Sequence, residues 1–212
     1  MIDLVISSFW ETLGMVAVSG IISVVLGVPL AVFLYVRSSY GLRPSRFTYG
    51  VAGFLVNGVR SIPYIIMMVL LMPLTRFLVG TTIGMWAASV PLAIAGTLIL
   101  ARLCEDGFRQ IDRGLIEFGQ SYGATDRQII MNIILLESLP IIISSVTTVM
   151  VSLIGFSAMA GAVGGGGLGD LAIRYGYQRY ELELLVYIVI ILVVMVQSVQ
   201  MIGDWLAAKL RK

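Results

Sequence analysis

The chain has no histidine and a single cysteine, Cys104, and only 12% of its 212 residues are charged. Without histidine it lacks the commonest proton shuttle and metal ligand. A lone cysteine excludes an intrachain disulfide, and Cys104 has no second thiol for redox or metal chemistry. No Gly-x-x-x-x-Gly-Lys-Ser/Thr occurs, so the chain has no P-loop of its own to hold ATP. No catalytic dyad or metal cluster is legible either, which removes a lipid-modifying enzyme. A soluble domain averages about 25% charged residues. Here 58% of residues are apolar and the mean hydropathy is +0.98.

What the chain does have is long apolar runs. A bilayer crossing takes about 20 residues, and five segments meet that length, near 13–36, 49–75, 77–101, 138–160 and 184–206. The second is interrupted by Arg60. These account for most of the chain, so it reads as one all-α integral membrane domain over 1–212 with five transmembrane helices. The first run exceeds the roughly 7–15 residues of a signal-peptide core and lacks a basic flank, so it reads as a retained span. Glu11, Glu137 and Asp204 are expected at span ends.

Basic residues fall into alternate loops. Ten lie in three groups: Arg37, Arg43 and Arg46; then Arg102, Arg109, Arg113 and Arg127; then Lys209, Arg211 and Lys212. Only Arg76, Arg174 and Arg179 lie on the other side. The positive-inside rule puts the amino terminus outside and the carboxyl terminus in the cytoplasm. An odd number of spans requires the termini to lie on opposite sides, which agrees with that placement. Helix punctuation inside the spans, at Gly27-Val-Pro29, Pro63, Pro73, Gly84, Pro91 and Gly96, suits a bundle of kinked or movable helices.

Between the third and fourth spans, about 102–137, the chain is polar but periodic. Asp112 fits the N-cap of a short helix carrying Leu115, Ile116, Phe118 and Tyr122. Gly123 fits the left-handed residue after its end. Thr125-Asp-Arg-Gln128 has capping-box spacing, which starts a second helix running through Ile129, Ile130, Ile133 and Ile134. The insert is therefore a bent helix pair on the cytoplasmic side. On physics alone it could be a docking element or an amphipathic connector on the membrane surface.

In this segment Glu117, Gly123, Ile133 and Leu135 stand in register with the signature of bacterial ABC-importer permeases, with Phe118 and Gly119 in place of two alanines and Leu136 in place of a proline. The blocks Arg60-Ser-Ile-Pro63-Tyr, Pro73-Leu-Thr-Arg76-Phe-Leu-Val-Gly80-Thr and the glycine-rich run from Ser157 to Tyr180 look like the methionine-uptake subgroup of that family. The resemblance covers the chain from about the second span to the fifth. It implies a non-enzymatic permease in the bacterial cytoplasmic (inner) membrane, working as a homodimer. It further implies two ATPase subunits that hold ATP and Mg, and an extracytoplasmic methionine-binding lipoprotein; this chain itself binds no cofactor, metal or nucleic acid. The ATPase-coupling residues would be Glu117, Gly119, Tyr122, Gly123, Ala124, Thr125, Asp126 and Gln128.

Three further features can be placed. Gly164–Gly169 satisfies a dinucleotide fingerprint, but it follows a membrane span and lacks the strand that the fingerprint needs, so it is expected to pack or gate. Arg60, Met159, Ala160 and Gly161 are candidates for a substrate path or gate, because an intramembrane charge usually faces a bundle interior or cavity and a thioether adapts to apolar ligands. Arg76, Arg174, Tyr177 and Arg179 form an outer patch suited to docking a binding protein. The competing function is an ATP-independent secondary carrier or channel, which would favour internal repeats and midplane acids; neither is evident.

Overall fold

The computed structural model describes residues 2–210, so Arg211 and Lys212 of the last basic group lie outside the described residues. All its regular structure is helical among those residues. Helix α1 spans Ile2–Arg37, α2 Arg46–Arg60, α3 Tyr64–Leu70, α4 Met72–Val79 and α5 Met85–Phe108. The insert forms α6, Arg113–Ser121, and α7, Asp126–Ile129. A π turn at Ile130–Ile134 and the three-residue α8, Leu135–Glu137, lead into α9, Leu139–Gly161. Then come α10, Gly167–Leu171, a second π turn at Ala172–Tyr177, and α11, Leu182–Leu210.

Among the described residues four helices, α1, α5, α9 and α11, are long and apolar enough to cross a membrane. The pair α2 and α3 qualifies only when taken together, across a bend of 103°. Pro63 has no N–H and disfavours helical geometry at the residue before it, which is why the chain breaks at Ser61-Ile62 and not later. The apolar run beginning near residue 77 is not one helix. Gly80 ends α4 with φ +82, and α5 starts only at Met85, where the Gly84 N–H donates to Gly164 O at 2.9 Å. Helix α1 also starts earlier than its apolar run. Its 36 residues extend about 54 Å at 1.5 Å each, well beyond the roughly 30 Å of bilayer hydrocarbon.

The core is built on close helix approach. Ser19, Ser23, Gly27 and Ala31 recur every four residues and form a buried stripe along α1, which lies against α5. Ser19 Oγ donates to Ser89 O at 3.1 Å, and Ser23 Oγ to Ser19 O at 2.7 Å and Ala93 O at 3.3 Å. Small residues with satisfied hydroxyls are what let two helices approach in an apolar solvent. Helix α11 shows the converse. Its buried residues are only Leu184, Ile188, Met195, Gly203 and Ala207, while Ile190, Val193, Val194, Met201 and Trp205 are exposed. An apolar face of that length is unsustainable in water and requires lipid or another apolar surface.

Helices α9 and α11 run antiparallel. A Cβ on Gly203 near the end of α11 would strike Thr147 in the first half of α9. One end of the bundle therefore gathers the ends of α1, α5 and α11, the start of α2 and the insert; the other gathers the start of α1, the 80–84 loop and the glycine-rich segment.

Candidate functional site

The insert is shaped by its caps. Asp112 Oδ1 accepts from the Gly114 N–H at 2.8 Å and starts α6. The helix stops in a Schellman motif. The Ala124 N–H donates to Gly119 O at 3.0 Å and the Gly123 N–H to Gln120 O at 3.0 Å, with Gly123 left-handed at φ +77. Helix α7 then opens in the expected capping box. Thr125 N–H donates to Gln128 Oε1 at 2.8 Å, and Gln128 N–H to Thr125 Oγ1 at 3.4 Å. Thr125→Ala is expected to cost about 0.5–2 kcal/mol at this helix start, and Thr125→Ser to restore most of it. Amide exchange at Gln128 and Ile129 would read the loss.

The two arms are packed at their inner faces. Ile116 and Gly119 of α6 are buried, as are Ile129 and Ile134 beyond the turn. A Cβ on Gly119 would sit 2.8 Å from Ile133 Cδ1, so the glycine permits this approach. The outer face is different. Phe118 and Tyr122 are 61% and 78% exposed, with ring centroids 4.6 Å apart. Glu117 is also exposed and pairs with Arg113 one turn back at 3.2 Å. Tyr122, Gly123, Ala124, Gln128, Asn132 and Ile133 line an adjoining depression of about 340 Å³. Exposed aromatics of this kind are enriched at protein interfaces. Asn132 was not expected there. It lies in the π turn Ile130–Ile134, an irregularity that often marks functional sites.

A second group ties the last turns of α5, from which the insert extends, to α2 and was also missed. Arg102 and Glu105 were expected in the polar insert, yet both are buried within α5. Glu105 accepts from Arg102 Nη1 and from Arg109 Nη2, each at 2.6 Å. Arg102 Nη2 reaches Gly53 O at 3.0 Å and Arg109 Nη2 reaches the Tyr49 hydroxyl at 2.6 Å, both on α2. Arg43, before α2, pairs with Asp126 at the start of α7. The insert is thus fastened through Arg43 to the connection between α1 and α2, and the last turns of α5 that lead into it are tied to α2.

The path candidates do not converge. Arg60 is the exposed last residue of α2 and faces a cavity of about 380 Å³ at the bend. Met159, Ala160 and Gly161 do not line it, but Phe156 of the same helix does. Ala160 and Gly161 are buried under the glycine-rich segment, where a Cβ on Gly161 would overlap the backbone of Asp170. Glu11 lies within the long α1, Ile2–Arg37. Its carboxylate accepts from the Gly167 N–H at 2.8 Å, and Thr12 Oγ1 from the Leu168 N–H at 2.9 Å, pinning that segment to α1. The glycines of the apparent dinucleotide fingerprint thus pack against α1 and α9. Of the outer patch, Arg174 pairs with Asp170, Arg179 lies 4.4 Å over the Tyr175 ring, Tyr177 is exposed, and Arg76 borders a separate depression with Phe77 and Thr82.

Four membrane-length helices, a bent helix pair over a cavity and a capped helix pair presenting aromatics at one end are consistent with a transport protein of the permease type. The chain belongs to the binding-protein-dependent transport system inner membrane components, whose family model matches residues 24–212. It is 45% identical over 208 residues to a probable D-methionine transport system permease protein of Vibrio cholerae, covering 98% of this chain and 92% of that one. It is 40% identical over 161 residues to the D-methionine transport system permease protein of Escherichia coli K12, covering 76% of this chain and 74% of that one. Among solved structures, an inward-facing MetNI methionine ABC transporter chain matches at a TM-score of 0.98 and 38% identity, covering 100% and 98% of the two chains. An amino acid ABC transporter solved with histidines shares the fold at a TM-score of 0.79 and 20% identity.

Proposed function

We propose that this chain is the membrane-spanning subunit of an ATP-driven importer of methionine, with D-methionine among its substrates. The observation that carries the reading is the α6–α7 pair. It has two complete caps, is tied through Asp126 to Arg43 ahead of α2, and turns Phe118 and Tyr122 outward at the end that holds the basic loops. The near-complete likeness to methionine permeases supports the substrate.

In this reading two copies pair, α2 and α3 together make the fifth span, the amino terminus lies outside, and the insert faces the cytoplasm. Glu117, Gly119, Tyr122, Gly123, Ala124, Thr125, Asp126 and Gln128 sit on or support the surface that meets a separate ATPase, which holds ATP and Mg. A binding lipoprotein delivers the solute to the opposite end, where Arg76, Arg174, Tyr177 and Arg179 are the candidate contacts. Nucleotide binding moves the ATPase pair, the insert follows, the Arg43–Asp126 pair carries the displacement to the chain ahead of α2, and Arg102, Glu105 and Arg109 make α5 and α2 move together. Nucleotide can shift inward- and outward-open states only through its differential affinity for them.

The test is uptake of labelled D- and L-methionine into proteoliposomes containing this chain. Uptake should require ATP, the ATPase subunit and the binding protein. Concentrative uptake by the purified chain alone would replace this reading with that of a secondary carrier.

A further inference from the structure

The break between α2 and α3 opens on the cavity of about 380 Å³, inside the roughly 300–1,000 Å³ range of small-ligand pockets. Its walls come from the break itself, from Leu98 of α5 and from Phe156 of α9. Non-helical backbone at membrane depth is stable only when packed in protein or facing a wet cavity, so the broken helix and the cavity belong together.

Two polar groups on its wall have no polar side-chain partner among the described residues. Tyr64 is 7% exposed and its ring stacks on Phe156 with centroids 4.7 Å apart and planes 11° from parallel. Its buried hydroxyl has no hydrogen-bond partner. Native structures rarely leave such a group unpaired, because burying it alone is unfavourable. Arg60, one turn earlier in sequence, forms no ion pair among the described residues. The rest of the lining, chiefly Met67, Leu98 and Phe156, is apolar.

We infer that this cavity is the permease's own binding site for the solute it passes, and that it selects a small molecule with a carboxylate head and an apolar tail. Arg60 takes the carboxylate through a charge-assisted hydrogen bond. The tail lies along Met67, Leu98 and the Tyr64–Phe156 stack, where a thioether is well matched to aromatic faces. The Tyr64 hydroxyl meets the polar head, donating to a carboxylate oxygen or accepting from an ammonium. This rests on the import reading and adds a site to it. Arg60 becomes a contact of known partner chemistry, and Tyr64, Met67 and Phe156 become binding residues.

Photo-methionine, the diazirine analogue, is the probe. The complex of this chain with its ATPase subunits, in lipid vesicles, is irradiated with it and the labelled peptides are mapped. Label is expected on the 60–67 segment and around Phe156. Methionine should displace it, and methionine amide, which lacks the carboxylate, should need about tenfold higher concentration. Arg60→Gln should collapse that tenfold ratio towards one. Tyr64→Phe, which keeps the ring stack, should weaken displacement by both competitors alike. A purely structural Arg60 would leave the ratio unchanged, and that result overturns the proposal. So does labelling confined to other segments, as when lipid fills the cavity. The same vesicles, supplied with binding protein and ATP, report import separately. Import without cavity label overturns the site and leaves the importer standing, whereas absence of import overturns both.

Discussion

Glu105→Ala is expected to destabilise the folded permease by about 3–5 kcal/mol, the cost of breaking a buried ion pair from one side. Glu105 is fully buried and stands against two guanidiniums, and the Arg102 side chain is only 10% exposed. Arg109, with its side chain 32% exposed, can turn towards water; Arg102 cannot. Its Nε already lacks a partner, so removing the carboxylate leaves a buried cation held by Gly53 O and a long contact to Tyr49. Glu105→Gln keeps an acceptor and should lose less, while Arg102→Met with Glu105→Leu should recover much of the stability, because a well-packed apolar pair often equals a buried ionic one. The check is the temperature at which purified protein loses its monodisperse state in detergent. The order expected is wild type, then the double variant or Glu105→Gln, then Glu105→Ala; an unshifted Glu105→Ala would show that the cluster carries no stability.

That cluster also marks where sequence reasoning ends. Asp112, Gly123 and Thr125 could be assigned because capping is local: a side chain two or three residues away decides it, and the residue types name the geometry. The long apolar runs were legible for the same reason. Arg102 and Glu105 fall at the start of the polar segment in the sequence, where charge ordinarily means exposure. Their burial depends on Tyr49 and Gly53, about fifty residues away, and no local pattern announces that pairing. Pro63 was visible as punctuation, but a 103° bend needs the packing of α3 against α5 and α9, which is tertiary. Neither π turn left a trace in the spacing, since one extra residue per turn changes no residue type. Glu11 takes the Gly167 N–H as its partner, 156 positions further on, and nothing near Glu11 in sequence announces it.

Gly123→Pro is expected to abolish uptake while leaving membrane insertion and ATP hydrolysis in place. Gly123 holds φ +77, and proline fixes φ near −65° and has no N–H. The substitution therefore removes the bond to Gln120 O and forces the chain out of the left-handed region. Strain and the lost bond together amount to about 2–4 kcal/mol. Roughly 1.4 kcal/mol already shifts an equilibrium tenfold, so α7 leaves its present angle to α6 in nearly every molecule. The membrane helices are untouched, because Gly123 is exposed and a Cβ there meets nothing within 4 Å. Only the relative angle of the two arms changes, and with it the registration of Phe118 and Tyr122 against a docked ATPase. Gly123→Asn supplies the control. Asparagine tolerates the left-handed region and is the usual substitute at this position of a helix end, so it should keep most of the uptake. Uptake and ATP hydrolysis measured on the same vesicles give the answer: uptake down by about tenfold or more for proline, near wild type for asparagine, with hydrolysis retained in both. If proline imports as well as asparagine, the angle between α6 and α7 is not what transmits the movement, and the Arg43–Asp126 and Glu105 braces would have to carry it alone.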